Sequence, residues 1–294
     1  MHSFSRNSVI VTILVTVLLG VGLFVFMGSR YKAPETPPTV ASKNLGPMRK
    51  IIGRSVEGRG IESFTYGNGP MNLAFVGGVH GGYEWNSVLL SYEFMDYLET
   101  NPAVIPKNLT VIVIPSANPD GVYKVTGKDG RFTESDVSTD KTILASGRFN
   151  ANGVDLNRNF NCKWQSKSTW QTKVVSAGTR AFSEPEAKAV QSFVLKHTPV
   201  AVIFWHSKAN AVYASECEKG ILPETLNIMY AYSKASGYTA VKSFDGYEVT
   251  GDAEGWLASI NTPAITVELK THEAIEWERN LAGIKALFEH YGQK

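Results

Sequence analysis

His80 and His206 each stand just past an apolar run, and Glu84 follows the first histidine by four residues. Two imidazoles and a carboxylate are a usual ligand set for a catalytic zinc ion, with one position left open for water. Alone, a histidine at a strand end reads as a hydrogen-bonded structural residue. Two of them beside a glutamate shift the reading to a metal site. The segment Gly78-Val79-His80-Gly81-Gly82-Tyr83-Glu84 agrees, because its glycines let the chain turn tightly enough for both side chains to face one point. The chain holds six histidines, and only His80 and His206 are read at strand ends where such a site could form.

Glu268 closes the apolar stretch Ile265-Thr266-Val267. A carboxylate there is unfavourable unless paired or used. An ion pair with Lys270 is one reading, and a general base acting on metal-activated water is the other. In Gly153-Val154-Asp155-Leu156-Asn157-Arg158-Asn159-Phe160, the Asn-Arg pair can grip a carboxylate through charge-assisted hydrogen bonds. A solvated loop arginine is the plain alternative. Arg148 lies ten residues upstream of Arg158, and Asn118-Pro119-Asp120-Gly121 reads as a turn that positions rather than reacts.

These residues need elements to hold them. Residues 72–77, 109–114, 200–204 and 264–268 are short, continuous apolar runs rich in β-branched and aromatic residues. Such runs fit strands covered on both faces. Helical periodicity marks 85–100, 183–197, 222–237 and 272–291, with Ser183 as an N-cap and Pro185 in the first turn of the second. The alternation predicts an α/β domain built on a mixed, mostly parallel, twisted sheet flanked by helices. Chemistry in such sheets sits just past the strand ends, where His80, His206 and Glu268 fall.

Residues 9–28 form an uncharged run of 20 residues. At 1.5 Å per residue this is about 30 Å of helix, enough to span a hydrocarbon core. A cleaved signal peptide is the rival, but no A-x-A site follows. The reading is a tail (1–8), a single-pass transmembrane anchor (9–28), a Pro-biased linker (29–47) and one catalytic domain (48–294). Arg30, Lys32 and Lys43 follow the run while only Arg6 precedes it. The catalytic domain is nonetheless read as extracytoplasmic, since large domains translocate despite local charge. Lys plus Arg is 29 and Asp plus Glu is 27, a net +2. That balance argues against nucleic acid as a partner. Two cysteines are too few for a disulfide-rich scaffold or a cysteine-based zinc finger.

The motifs, in their order, resemble those of the zinc metallocarboxypeptidases, peptidase family M14, over most of residues 50–294. The match rests on His80 and Glu84, Asn118 to Gly121, Arg148 with Asp155 to Phe160, Phe182 to Glu186, His206-Ser207, Tyr247 with Thr250-Gly251, and Glu268-Leu269. The resemblance implies one zinc ion per chain on His80, Glu84 and His206. It implies that Asp155 accepts a hydrogen bond from His80, and that Glu268 takes a proton from water and passes it to the leaving amine. Arg148 would stabilise the oxyanion, and Asn157, Arg158 and Tyr247 would hold the terminal carboxylate of a peptide substrate. Glu254, seven positions after Tyr247, would stand at the base of the side-chain pocket and favour a basic residue such as Lys, Arg or diaminopimelate. A solvated acidic loop with Asp252 is the alternative for Glu254. The family usually places two residues between its first His and Glu, and three stand here. Cys162 and Cys217 flank the expected site; an outward-facing domain permits a disulfide between them, and two buried thiols are the alternative. The chain leaves no room for a folded propeptide or a β-sandwich appendage. The expected activity is removal of the C-terminal residue of peptides. Cleavage of a cell-wall γ-D-glutamyl-diaminopimelate bond, a related amidohydrolase, and an inactive peptide-binding protein are the alternatives.

Overall fold

The computed structural model describes residues 47–294. The tail, the anchor and all but the end of the linker lie outside the described residues. Among the described residues, no helix is long and apolar enough to cross a membrane.

Eight strands form one mixed sheet: β1 (Met48–Arg54), β2 (Gly60–Gly67), β3 (Met71–Val76), β4 (Leu109–Ile114), β5 (Ala201–Ser207), β6 (Ala211–Ala214), β7 (Thr239–Val241) and β8 (Ala264–Leu269). Their order is β1-β2-β4-β3-β5-β8-β6-β7. The central four, β4, β3, β5 and β8, run parallel. Strands β1, β2 and β6 join antiparallel, and β7 pairs parallel with β6.

Side chains alternate between two cores because successive residues of a strand point to opposite faces. Leu73, Phe75, Ile203, Trp205, Ile265 and Val267 pack under helices α1 (Trp85–Thr100), α5 (Pro223–Ser236) and α7 (Trp277–Gly292). Ala74, Val76, Val202, Phe204 and Ala264 pack under α4 (Pro185–His197) and α6 (Ala253–Ser259). Helices α2 (Pro119–Thr126) and α3 (Lys141–Ser146) are shorter. His206 follows Trp205 and so turns to the α4/α6 face, with Thr266 and Glu268. Strands β5 and β8 pair Glu268 with His206, so base and ligand stand side by side.

Helix α1 spans the range read from periodicity. Helix α4 is entered differently: its N-cap is Glu184, not Ser183, and the Ser183 hydroxyl donates to Glu184 Oε1 at 2.7 Å. Helix α7 begins at Trp277 rather than His272, because Glu276 takes a left-handed φ of 48°. Asn86 Nδ2 then ties the preceding loop to α1 by donating to Thr271 O at 2.7 Å and Ala274 O at 3.0 Å.

Candidate metal centre and its cleft

After β3 the chain makes a single 3-10 turn, Gly81–Glu84, and Glu84 becomes the N-cap residue of α1. Gly81 has φ of 48°, and a Cβ there would lie 2.5 Å from Gly147 O. A Cβ on Gly82 would lie 2.5 Å from Val125 Cβ. Only this glycine pair fits, and its turn absorbs the extra residue between His80 and Glu84. Glu84 Oε1 lies 2.7 Å from His80 Nδ1, and Glu84 Oε2 lies 2.9 Å from His206 Nδ1. The two Nδ1 atoms are 3.1 Å apart, and all three residues are buried.

This geometry fits a zinc ion. Ligand bonds of about 2.0–2.1 Å in a tetrahedron place donor atoms roughly 3.3 Å apart, close to the observed spacing. The rings are set from behind. His80 Nε2 faces Asp155 Oδ1 at 3.5 Å, and His206 Nε2 faces Glu254 Oε1 at 3.3 Å. Neither Nε2 makes a well-aligned hydrogen bond, yet a carboxylate at that position fixes ring orientation and raises ligand basicity. Asp155 is itself fixed: Arg148 Nε donates to its Oδ2 at 2.9 Å, and the Asn157 backbone N–H donates to its Oδ1 at 3.1 Å.

Charge favours a cation here. Burial raises the proton affinity of Glu84, but His80 and His206 outweigh it and hold the carboxyl well below its usual range. Burial opposes charge on His206, but Glu84 and Glu254 push its pKa well above the usual value. For Asp155, burial is overridden by Arg148, and the carboxyl stays ionised far into acid. A divalent ion between these groups would take the place of the His206 proton.

Glu268 is the odd acid. Burial, with Glu84 adding to it, pushes its carboxyl up to about 8. Its Oε2 is buried without a partner. Lys270 is exposed, and among the described residues no ion pair joins it to Glu268, whose Oε2 has no partner.

Asn157 and Arg158 belong to one 3-10 turn capped by Asp155. Asn157 Oδ1 accepts from Ala253 N–H at 2.9 Å, which turns its Nδ2 donor away from that contact. Arg158 is locked to Thr169 O at 3.1 Å and to Asn157 O at 2.6 Å. Arg148 lies over the Trp170 ring at 4.6 Å, with Nη1 3.8 Å from Glu84 Oε1. Asn118 caps α2 and donates to Arg148 O at 3.3 Å, so that turn positions the arginine. Tyr247 is half-buried, its ring 4.9 Å from Phe244. Glu254 is buried on α6 and accepts from Thr266 Oγ1 at 3.0 Å. It is not a solvated acid, and it borders both His206 and the cleft. Neighbouring Asp252 is pushed up to about 6 by burial and by Glu254. Cys162 and Cys217 are disulfide-bonded, their Cα atoms 6.1 Å apart.

One cavity of about 470 Å³ is lined by every one of these candidates except Asp155 and Cys217. Tyr83, Trp170 and His272 also line it, and sequence reading did not pick them out. His80 and His206 are, as expected, the histidines of the metal cluster among the described residues; His272 also follows a strand, just past β8, but stands outside that cluster. That position was the available signal. Trp170 comes from a small ribbon (Lys167–Trp170 with Lys173–Ser176) that carries no apolar run.

The zinc carboxypeptidase family, Peptidase_M14, matches residues 42–276. This chain belongs to that family. Zinc is therefore the metal expected of this chain, and His80, Glu84 and His206 are the buried cluster among the described residues that could hold it. This zinc carboxypeptidase family member is 25% identical over 241 residues to the γ-D-glutamyl-L-diamino acid endopeptidase 1 of Lysinibacillus sphaericus, covering 74% of this chain and 59% of that protein. It is 33% identical over 122 residues to the carboxypeptidase N catalytic chain of Homo sapiens, covering 37% of this chain and 25% of that one. The matches thus span less than two thirds of either relative. In fold it is similar to the solved murein-tripeptide amidase from Escherichia coli O157, with TM-score 0.60 and 24% identity over 82% of this chain and 92% of the other.

Proposed function

We propose that the protein is a carboxypeptidase that hydrolyses the amide bond before a terminal residue with a free carboxylate and a cationic side chain. The observation that carries this is the joint lining of one cavity by Arg158 and Asn157, which suit a carboxylate, and by Glu254 and Asp252, which suit an ammonium or guanidinium. Glu254 faces the His206 ring, which would become neutral on ligating zinc; a buried acid then lacks a full cationic partner, and a basic side chain would supply one. Bound zinc would polarise the scissile carbonyl and acidify water. Beside the positive charge of bound zinc, which would offset the burial that raises it, the Glu268 carboxyl would favour its ionised form; Glu268, unpaired and beside His206, then takes the proton from the attacking water and returns it to the leaving amine. Arg148 faces the developing negative charge on the carbonyl oxygen. Asn157, Arg158 and Tyr247 hold the terminal carboxylate.

A second reading has one observation in its favour. The endopeptidase relative that aligns over 74% of this chain acts, by its name, on γ-D-glutamyl-L-diamino acid bonds. Diaminopimelate also carries an amino group that the acid pair could receive. The intact Glu268 and ligand set argue against an inactive peptide-binding protein. Digestion of a C-terminal peptide library and of muropeptides by the full chain, with and without chelator, separates the readings. Release of C-terminal Lys or Arg supports the first, and cleavage of muropeptides alone supports the second. Chelator-resistant activity, or none on either set, would overturn both.

The apolar run at 9–28 supports an anchored enzyme. The Cys162–Cys217 bond supports a domain facing an oxidising compartment. Protease added outside an intact plasma membrane tests this, and digestion of the domain only after that membrane is lysed would refute it.

A further inference from the structure

His272 lines the same cleft as Asn157 and Arg158, and a chain of hydrogen bonds fixes which of its nitrogens carries the proton. The chain starts at Asn86, fully buried on α1. Its side-chain nitrogen touches two carbonyls, Thr271 O at 2.7 Å and Ala274 O at 3.0 Å. Carbonyls only accept, so that atom is the amide nitrogen, and the opposite atom is Oδ1. Ser207 Oγ lies 3.0 Å from Asn86 Oδ1 and must donate to it. Ser207 Oγ also lies 2.7 Å from His272 Nδ1. Its one proton is already committed, so His272 Nδ1 is the donor in this second bond. The neutral ring therefore carries its proton on Nδ1, and Nε2 is left as a bare acceptor. Burial holds the imidazole below its usual pKa, which keeps it neutral.

Nε2 has no hydrogen-bond partner among the described residues, and the residue lines the cleft. The ring is braced by Tyr83, whose centroid is 4.7 Å away, and Tyr83 in turn packs on Trp170 at 5.1 Å. The loop that carries His272 hangs from α1, on one side of the sheet. Glu254 and Ala253, which holds Asn157, belong to α6 on the other side. A substrate with its terminal residue over α6 and its scissile bond at the metal ligands would bring its acyl side toward the cleft lining that includes His272.

We propose that His272 is a substrate-binding residue whose Nε2 accepts a hydrogen bond from an amide N–H on the acyl side of the scissile bond. This rests on the reading of the cleft given under Proposed function. The site is acceptor-only, so it selects for a donor and against an alkylated nitrogen. A lost neutral hydrogen bond corresponds to a change of about five- to tenfold.

The test pairs variants with substrates, using the zinc-loaded full chain. An asparagine at 272 can keep the donor to Ser207 but has no atom at the Nε2 position. A glutamine can reach the Nε2 position with its carbonyl. The substrates are acetyl-Ala-Ala-Lys and two analogues, each methylated at one acyl-side alanine nitrogen. Wild type loses about five- to tenfold in kcat/KM on one analogue. H272N loses a similar factor on the parent peptide and becomes indifferent to that methylation. H272Q keeps the methylation sensitivity, and it carries the test if H272N does not fold. Equal methylation penalties in wild type and H272N would overturn the assignment, as would an undiminished H272N on the parent peptide. If wild type cleaves muropeptides but not acetyl-Ala-Ala-Lys, the carboxypeptidase reading alone falls. The same comparison is then made on a muropeptide methylated at the D-glutamyl nitrogen, with the same deciding outcomes.

Discussion

Replacing Glu268 by Gln removes one proton acceptor and changes little else. The side chain keeps its length and volume, and the zinc ligands His80, Glu84 and His206 are untouched. Strands β5 and β8 stand about 4.8 Å apart, with residue 268 registered against His206. The reacting water therefore stays within reach of position 268, but the amide cannot take its proton. General-base catalysis contributes about 10²–10⁴-fold, which at 1.36 kcal/mol per factor of ten is roughly 3–5 kcal/mol of barrier. The expected result is a fall of that size in kcat at unchanged zinc content. The stability effect has the opposite sign in metal-free protein. The Glu268 carboxyl is raised from 4.5 to about 8 by burial and by Glu84. Its contribution is complete below about pH 4.5 and lost as pH rises through 8. Gln never ionises, so with chelator present the melting temperature of Glu268→Gln relative to wild type should rise between pH 5 and pH 9. Zinc content by mass spectrometry, turnover on a C-terminal Lys peptide and melting curves give all three readouts. Near wild-type turnover at full zinc content would refute the assignment of Glu268 as base.

Three further outcomes follow from the same geometry. Glu254→Gln should lower cleavage of C-terminal Lys or Arg relative to Leu; because Glu254 also faces His206 Nε2 at 3.3 Å, zinc affinity should fall by roughly 10–100-fold. An unchanged Lys-to-Leu ratio removes the pocket role, and an unchanged zinc Kd removes the ring-orienting one. Zinc binding at pH 7 should release protons, because the raised His206 pKa means the ring must deprotonate to ligate; affinity should weaken by up to about tenfold per pH unit below that pKa, and calorimetry showing no net proton release would contradict it. Removing the disulfide in Cys162→Ser with Cys217→Ser opens a loop of 55 residues and should cost about 4 kcal/mol; a denaturant midpoint within error of wild type would show that the bond constrains little.

The central sheet was legible because both its faces are covered. Uniformly apolar runs such as Leu109–Ile114, buried at all six positions, announce themselves. The β1–β2 hairpin was not read, since it is an outer pair with mostly exposed or half-buried residues. The buried cluster of His80, Glu84 and His206 that could hold a metal was legible from residue type and position past the strands. What the sequence hid was the second role of Glu254, because its contact with His206 depends on how α6 lies over the strand ends. The start of α7 was misread for a related reason. Residues 272–276 carry helix-compatible residues, but Asn86 binds two of that loop's carbonyls and Glu276 turns left-handed. Tertiary hydrogen bonds there override local preference.

The pairing of Glu268 with His206 also sets how the site can fail. Strand registers change in whole residues, and a one-residue slip of β8 would turn Glu268 to the opposite face and bring a neighbouring apolar residue, Val267 or Leu269, toward the metal ligands. A half-aligned catalytic pair has no register to occupy. Damage to the β5–β8 ladder should therefore leave a mixture of fully competent and fully silent molecules. Titration of active sites would report a reduced count of working enzymes, each turning over at the normal rate.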